Sequence, residues 1–432
     1  MLKITVNAEN RLTRKSQWSV NFMVFFYKLS FIYLLVFSVV AFDNGQRFQV
    51  SDWLFFINAK FAYAALFYMM VISGIFLILE TKMRKYDRFF ISFFAVGLLY
   101  ICYSFIYGVR FSYISYNQIG FVFIAASFLF VMDTSRLKSS LLVGYSIMLF
   151  FAIAMSLVKY YDLDLPIVRY SDLDLDSTAI RASSGLFLQT NASGAFFCLS
   201  ALIFLSLYNY TRHLTYIVCC FICIVCLLVG KSLGPIGIFF ALAILYANKS
   251  ILLAFSAIGL SIFFFKLDYF IYYLNYKLHS GSTKYDVFLG TVERFYENTG
   301  DLVFGQFYSG NTHGLLYTES SMLDIINNFG IAGAFWAFAI GIAGLVLALN
   351  ATCRRRLTLF LPVIALFVLS LTQNSTLMLV HIFIVCFYLA TLHAVSRGVV
   401  TSRAPLVFKV NHSFIKDDEK NPSAMSYPNS GM

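Results

Sequence analysis

The sequence predicts an all-α, polytopic integral membrane protein with about twelve transmembrane helices and two longer outer loops. Three observations carry that expectation. Residues are 60% hydrophobic and only 12% charged, with a mean hydropathy of +0.76, whereas soluble domains run near 45–50% apolar and about 25% charged. Apolar runs of membrane-crossing length recur along the chain, and basic residues gather in alternate gaps between them. Soluble enzymes and nucleic-acid modules are excluded. The net charge of +11 is therefore read as membrane topology rather than as a nucleic-acid footprint.

The elements follow in order. Lys3, Arg11, Arg14 and Lys15 precede a run at 20–42 that is too long for a signal-peptide core and lacks a small-residue cleavage site, so a retained first helix is expected. Further runs lie at 61–79, 89–108, 117–132, 139–158, 191–210, 214–229, 233–247, 251–265, 322–349, 357–372 and 375–395. With the N-terminus cytoplasmic, most Lys and Arg fall on the inner side, including Lys82, Arg84, Lys85 and Arg88, and Arg354, Arg355 and Arg356. That bias favours both termini in the cytoplasm. Residues 1–396 form one membrane domain, and the polar stretch 397–432 is expected to be a disordered cytoplasmic tail.

The outer loops at about 160–190 and 266–321 hold much of the remaining charge. Long polar loops on a rigid scaffold are where function concentrates. They carry Arg169, Arg181, Arg294, His313 and Glu319, and Lys231 lies between two apolar runs in Gly-Lys-Ser-Leu-Gly-Pro. Arg presents a planar fork of donors suited to phosphate and carboxylate oxygens, so this set points to an anionic substrate such as a lipid pyrophosphate. The bland reading pairs each Arg with a loop carboxylate, as Arg294 with Glu293 or Glu297. A lysine buried at a helix centre costs about 2.5–3.5 kcal/mol, which favours a wet, anion-binding cavity around Lys231 over a purely structural place.

Other residues read as structural. Cys219, Cys220, Cys223 and Cys226 sit at helical spacing on one segment, as interface filling and not as a metal site. His381 is expected to be a core histidine bonded to a neighbouring helix. Thr318 or Ser321 is expected to cap the tenth helix, with Ser321 and Asp324 at capping-box spacing. Walker A, His-Glu-x-x-His and Gly-x-Ser-x-Gly sequences are missing, and no metal or cofactor is expected.

Four short patterns, in RASSGLFLQTN, GKSLGP, VERFYENTGDLVFGQF and TESSMLDIINNFGIAG, resemble those of the bacterial O-antigen polymerase and O-antigen ligase superfamily. Arg181, Gly185 and Asn191 in RASSGLFLQTN match an Arg, Gly and Asn pattern ahead of a membrane helix, and GKSLGP is similar to a helix-break element with Lys231 near its basic position. Arg294, Phe304 and Gly305 match an Arg before a Phe-Gly element in the large loop. Gly330 and Gly333 keep the spacing that follows a His-Asn pair in the ligases, but Glu319 and Ser320 stand at the His-Asn positions, as in the polymerases. The resemblance covers about 180–350.

What it implies is a Wzy-type polymerase, a metal-independent glycosyltransferase of the bacterial inner membrane acting in O-antigen or capsule biosynthesis. It would transfer a growing glycan from undecaprenyl pyrophosphate to an undecaprenyl-linked repeat unit at the periplasmic face. Arg181 and Arg294 would stabilise the leaving pyrophosphate, and Glu319 or else His313 would accept the proton. Lys231, Arg169 and Asn191 would bind substrate. Membrane lipid and a chain-length regulator protein are the implied partners, with no nucleic acid. Two alternatives stay open: a ligase that passes the chain to lipid A core, with His313 in the role of the ligase His, and a non-enzymatic lipid-linked oligosaccharide flippase or transporter.

Overall fold

The computed structural model describes residues 22, 25, 48–50, 72, 75, 88–106, 116–131, 149–150, 153–154, 168–170, 190–212, 214–230, 232–246, 285–286, 289–290, 292–293, 296–297, 299–305, 320–351, 356–372 and 379–396. The expected spans at 20–42, 61–79 and 139–158 are represented by a few residues each, and 251–265 and the tail lie outside the described residues. What is described is helical apart from two three-residue strands.

Among the described residues, the α-helices of six or more consecutive residues are α1 (Arg88–Ile106), α2 (Tyr116–Val131), α3 (Thr190–Thr211), α4 (Leu214–Val229), α5 (Leu233–Tyr246), α6 (Thr299–Phe304), α7 (Ser321–Phe329), α8 (Phe335–Asn350), α9 (Leu361–Thr372) and α10 (Leu379–Ser396). Two helical stretches, Asn191–Tyr210 and Ile331–Asn350, are each 20 residues long and apolar enough to cross a membrane, because 20 residues at 1.5 Å per residue span about 30 Å. Within the described residues, α1, α2, α4, α5, α9 and α10 contribute shorter apolar stretches.

Helix α3 is the hub. Its side chains from Ala192 to Leu207 are buried, and it packs against α4, α5, α9 and α10. α1 and α2 form an antiparallel pair, with Phe93 stacked on Phe123 at 5.2 Å and Phe89 on Phe130 at 5.5 Å between ring centroids. Gly97 and Gly120 set how closely they cross. A Cβ at Gly97 would stand 2.7 Å from the Gly120 carbonyl oxygen, and one at Gly120 would stand 2.8 Å from the Gly97 oxygen.

The peripheral helices are apolar on both faces. α4 buries Cys220, Cys223, Ile224, Cys226 and Leu227 and exposes Leu214, Val218, Phe221, Ile222 and Val225. The cysteine cluster thus fills a helix interface, as its spacing predicts. α8 buries Trp336, Ala337, Ile340, Ala343 and Leu347 and exposes Phe335, Phe338, Ile342, Leu345 and Leu349. A helix in water keeps its apolar side chains on one stripe. Leaving a large one exposed forgoes about 1.5–3 kcal/mol, so two rows of them call for an apolar surrounding.

The helix ends sort into two sets. At one end lie the starts of α3, α5, α7 and α10 and the finish of α9: Ser232 bonds Asn191, His381 bonds the Ala192 carbonyl and Ser320 bonds the Ser370 carbonyl. At the other, Ser206 Oγ reaches the Thr358 carbonyl at 3.4 Å and Tyr388 Oη donates to the Leu359 carbonyl at 2.8 Å. The His393 ring there meets Phe89 at 5.0 Å and Phe130 at 5.8 Å. Arg88, Arg212 and Arg356 are exposed at this second end, and Arg356 donates to the Leu349 carbonyl at 3.2 Å.

Two features depart from the expected elements. The run at 322–349 is not one helix: Gly330, at φ 69°, stops α7, and a 3-10 turn (Ile331–Ala334) leads into α8. The backbone there is of a kind that only glycine adopts readily, and hydropathy alone cannot register it. Strands β1 (Phe48–Val50) and β2 (Val168–Tyr170) pair antiparallel, with Gln49 opposite Arg169. They link two segments read from sequence as outer connections, where only loops were expected.

Candidate functional site

The first part of the site is the junction of α3 and α5. Asn191, in the first turn of α3, accepts a hydrogen bond at Oδ1 from Ser232 Oγ at 2.7 Å. Ser232 is buried, and its carbonyl accepts from Ile236 N at 3.1 Å as α5 begins. Pro235 fits in that first turn, where no intrahelical N–H bond is lost. Gly194 permits the contact, since a Cβ there would lie 2.8 Å from Ser232 Cβ and 3.0 Å from Pro235 Cγ. Two patterns 41 residues apart in sequence thus meet through one hydrogen bond.

Beneath this junction His381, fully buried on α10, places Nε2 3.1 Å from the Ala192 carbonyl oxygen. It is a core histidine tied to a neighbouring helix, as read from the sequence. The first turns of α3 and α5 lie side by side, and each presents backbone N–H groups without intrahelical partners. Such ends carry partial positive charge and favour anions.

The second part is the broken helix. Ser320, not Thr318 or Ser321, caps α7: its Oγ accepts from Leu323 N at 3.3 Å and donates to the Ser370 carbonyl at 3.2 Å. Ser321 is fully buried inside the first turn instead, so the capping-box spacing with Asp324 is coincidental. Ser320, Ser321, Asp324 and Asn327 are all buried, which gives α7 an unusual polar content for an apolar bundle.

Phe304–Gly305 and Gly330–Gly333, distant in sequence, come together here. α6 packs against α7 and the 3-10 turn, and the Val303 carbonyl lies where a Cβ of Gly330 would have to be. Gly333 faces Ile325 and Phe329 in the same fold-back. Gly330 therefore serves the backbone packing of α6 onto the helix break, and Gly333 the fold-back of the 3-10 turn onto α7.

Sequence reasoning passed over Asp301. This carboxylate, in the first turn of α6, is 2% exposed, and its Oδ1 has no hydrogen-bond partner among the described residues. A buried polar atom left without a hydrogen bond is costly in any fold. The signal in the sequence was an acid three residues ahead of the Phe in the Phe-Gly element.

Of the residues singled out from sequence, the structure brings Asn191 to Ser232 and sets Arg169 in β2 opposite Gln49. Arg181, Lys231, Arg294, His313 and Glu319 lie outside the described residues. Lys231 is nevertheless the chain neighbour of Ser232, and Glu319 of Ser320, the two residues that anchor the site end of the bundle. Among the described residues no cluster of His, Cys, Asp and Glu is arranged to hold a metal ion. Comparison with family models, with curated proteins and with solved structures finds no match.

Proposed function

We propose that this chain is a multi-pass protein of the bacterial inner membrane, with twelve helices and both termini cytoplasmic, that polymerises lipid-linked oligosaccharides at the periplasmic face. The observation that carries the reading is the gathering of helix starts at one end of the bundle. Asn191 and Ser232 meet there, Ser320 caps α7 there, and the residues joined to them in the chain are Lys231 and Glu319. The exposed arginines Arg88, Arg212 and Arg356 stand at the opposite end, as the positive-inside rule asks of a cytoplasmic side.

The reaction is displacement at an anomeric carbon. The acceptor hydroxyl oxygen bonds that carbon, the bond from the carbon to the pyrophosphate oxygen breaks, and its electron pair leaves with undecaprenyl pyrophosphate. Arg181 and Arg294, with Lys231, hold the pyrophosphate and stabilise the charge that develops on it; fixed donors do this best where water is scarce. Arg169 helps bind the substrate through its charge alone. Asn191 donates to substrate from an amide whose oxygen is anchored by Ser232. Glu319, or else His313, takes the hydroxyl proton.

The test is deletion of the gene with surface glycolipids resolved on a gel. Loss of a polymerase leaves lipid A core capped with a single repeat unit. Bare core with polymer left on the carrier lipid would instead identify a ligase, and bare core without periplasmic polymer a flippase.

A further inference from the structure

α6 is built against the usual pattern of a surface helix. Val303 and Phe304 are 44% and 43% exposed, while Asp301 is the one buried side chain of Thr299–Phe304, at 2%. A helix at a protein surface turns apolar residues inward and acids outward. Local rules are broken in this way where function asks for it.

Two bland roles for the acid fail on the geometry. An acid in a first turn ordinarily accepts from the backbone N–H groups that open the helix, and a buried acid ordinarily holds a donor from a neighbouring element. Among the described residues, Asp301 Oδ1 does neither. α6 packs against α7, but the hydroxyl of Ser320 there is directed to the Ser370 carbonyl on α9. The main chain of Asp301, by contrast, is fixed. Its carbonyl accepts from Gly305 N at 2.8 Å, Gly305 ends α6 at φ 83°, and the Val303 carbonyl is packed against Gly330. The backbone is held in place and the carboxyl oxygen is left unmatched.

We propose that Asp301 is a substrate-binding residue, whose carboxyl oxygens accept hydrogen bonds from sugar hydroxyls of the lipid-linked oligosaccharide. The identity of the ligand rests on the proposed function. A carboxyl oxygen calls for a donor, and among the described residues no three His, Cys, Asp or Glu gather to share a metal ion, so a hydroxyl fits the position better than a cation. The approach is from the start of α6, where exposed Thr299 and half-buried Gly300 precede Asp301 and Gly300 brings no side chain to block a ligand.

The experiment measures the Tm of the purified full chain in detergent, with and without undecaprenyl pyrophosphate-linked repeat unit. It compares the wild type with Asp301→Asn, which keeps the shape, and Asp301→Leu, which removes both oxygens. The repeat unit should raise the Tm of the wild type. Without it, both variants should melt at or above the wild-type temperature, because no hydrogen bond inside the protein is lost. Both should need about 10- to 100-fold more repeat unit for the same rise. Two variants that melt well below the wild type would show the carboxyl to be structural, and variants that respond to as little repeat unit as the wild type would show that it does not touch the ligand. Either result overturns the assignment. A wild-type chain that binds repeat units but leaves them unjoined in proteoliposomes would defeat the polymerase alone, and the variants' responses would still decide Asp301. A wild type whose Tm ignores the repeat unit would overturn both.

Discussion

At the scale of single residues, exchanging Arg for Lys separates a pyrophosphate clamp from an ordinary loop charge. Both side chains are cationic, but only guanidinium offers a bidentate fork. Arg181→Lys and Arg294→Lys should each lose about 100- to 1,000-fold in polymerisation, the consequence of removing a transition-state donor worth about 2.7–4 kcal/mol. Arg169→Lys should be tolerated. If the arginines only pair with loop carboxylates, each exchange changes about 0–1 kcal/mol, and polymer of normal amount and length will appear at normal protein level. The Asn191–Ser232 bond gives a second residue-scale prediction. Ser232→Ala should lower stability by about 0.5–1.5 kcal/mol, and a double-mutant cycle with Asn191→Ala should show that the two losses do not add, as measured by unfolding in detergent.

At the scale of elements, the break between α7 and α8 is the feature most exposed to test. Gly330 combines a positive φ with a carbonyl packed where a side chain would begin. Gly330→Ala should therefore cost about 3 kcal/mol and lower the Tm of the purified protein. A Cβ at Gly237, within α5, would meet nothing within 4 Å. Gly237→Ala should leave the Tm unchanged or raise it, since alanine is favoured over glycine in a helix by about 0.5–1 kcal/mol. The same break shows what hydropathy cannot carry. A window average sees an unbroken apolar run from 322 to 349, whereas a glycine's φ is set by the α6 carbonyl lodged against it, a contact made across the fold. For the same reason Ser320 displaced Thr318 and Ser321 as the cap: the choice among neighbouring hydroxyls is made by Ser370 on α9.

At the scale of the whole molecule, helical class and apolar character were legible in composition and run length, because both depend on many residues at once. The buried cysteines of α4 and His381 on α10 were legible too, since their surroundings in sequence are apolar on every side. The site was legible only as separate patterns. That Asn191 meets Ser232, or that Phe304 lies beside Gly330, depends on helix packing that no local pattern records, and Asp301 escaped notice because its burial, too, comes from tertiary packing. Sidedness yields a further prediction. In a cysteine-free background, cysteines at Ser171 and Ser282 should react with an impermeant thiol reagent in intact spheroplasts, whereas one at Arg212 should react only after lysis. Labelling in the opposite pattern would move the site to the cytoplasm.

The most direct test of the proposed chemistry is reconstitution. The purified chain in proteoliposomes, supplied with undecaprenyl pyrophosphate-linked repeat units and no lipid A core, should build a ladder of longer lipid-linked glycans. One undecaprenyl pyrophosphate should be released per unit added, and Arg294→Lys should stop the reaction. A folded, correctly inserted protein that leaves the repeat units unjoined until lipid A core is supplied, or that only moves them across the bilayer, would contradict the polymerase.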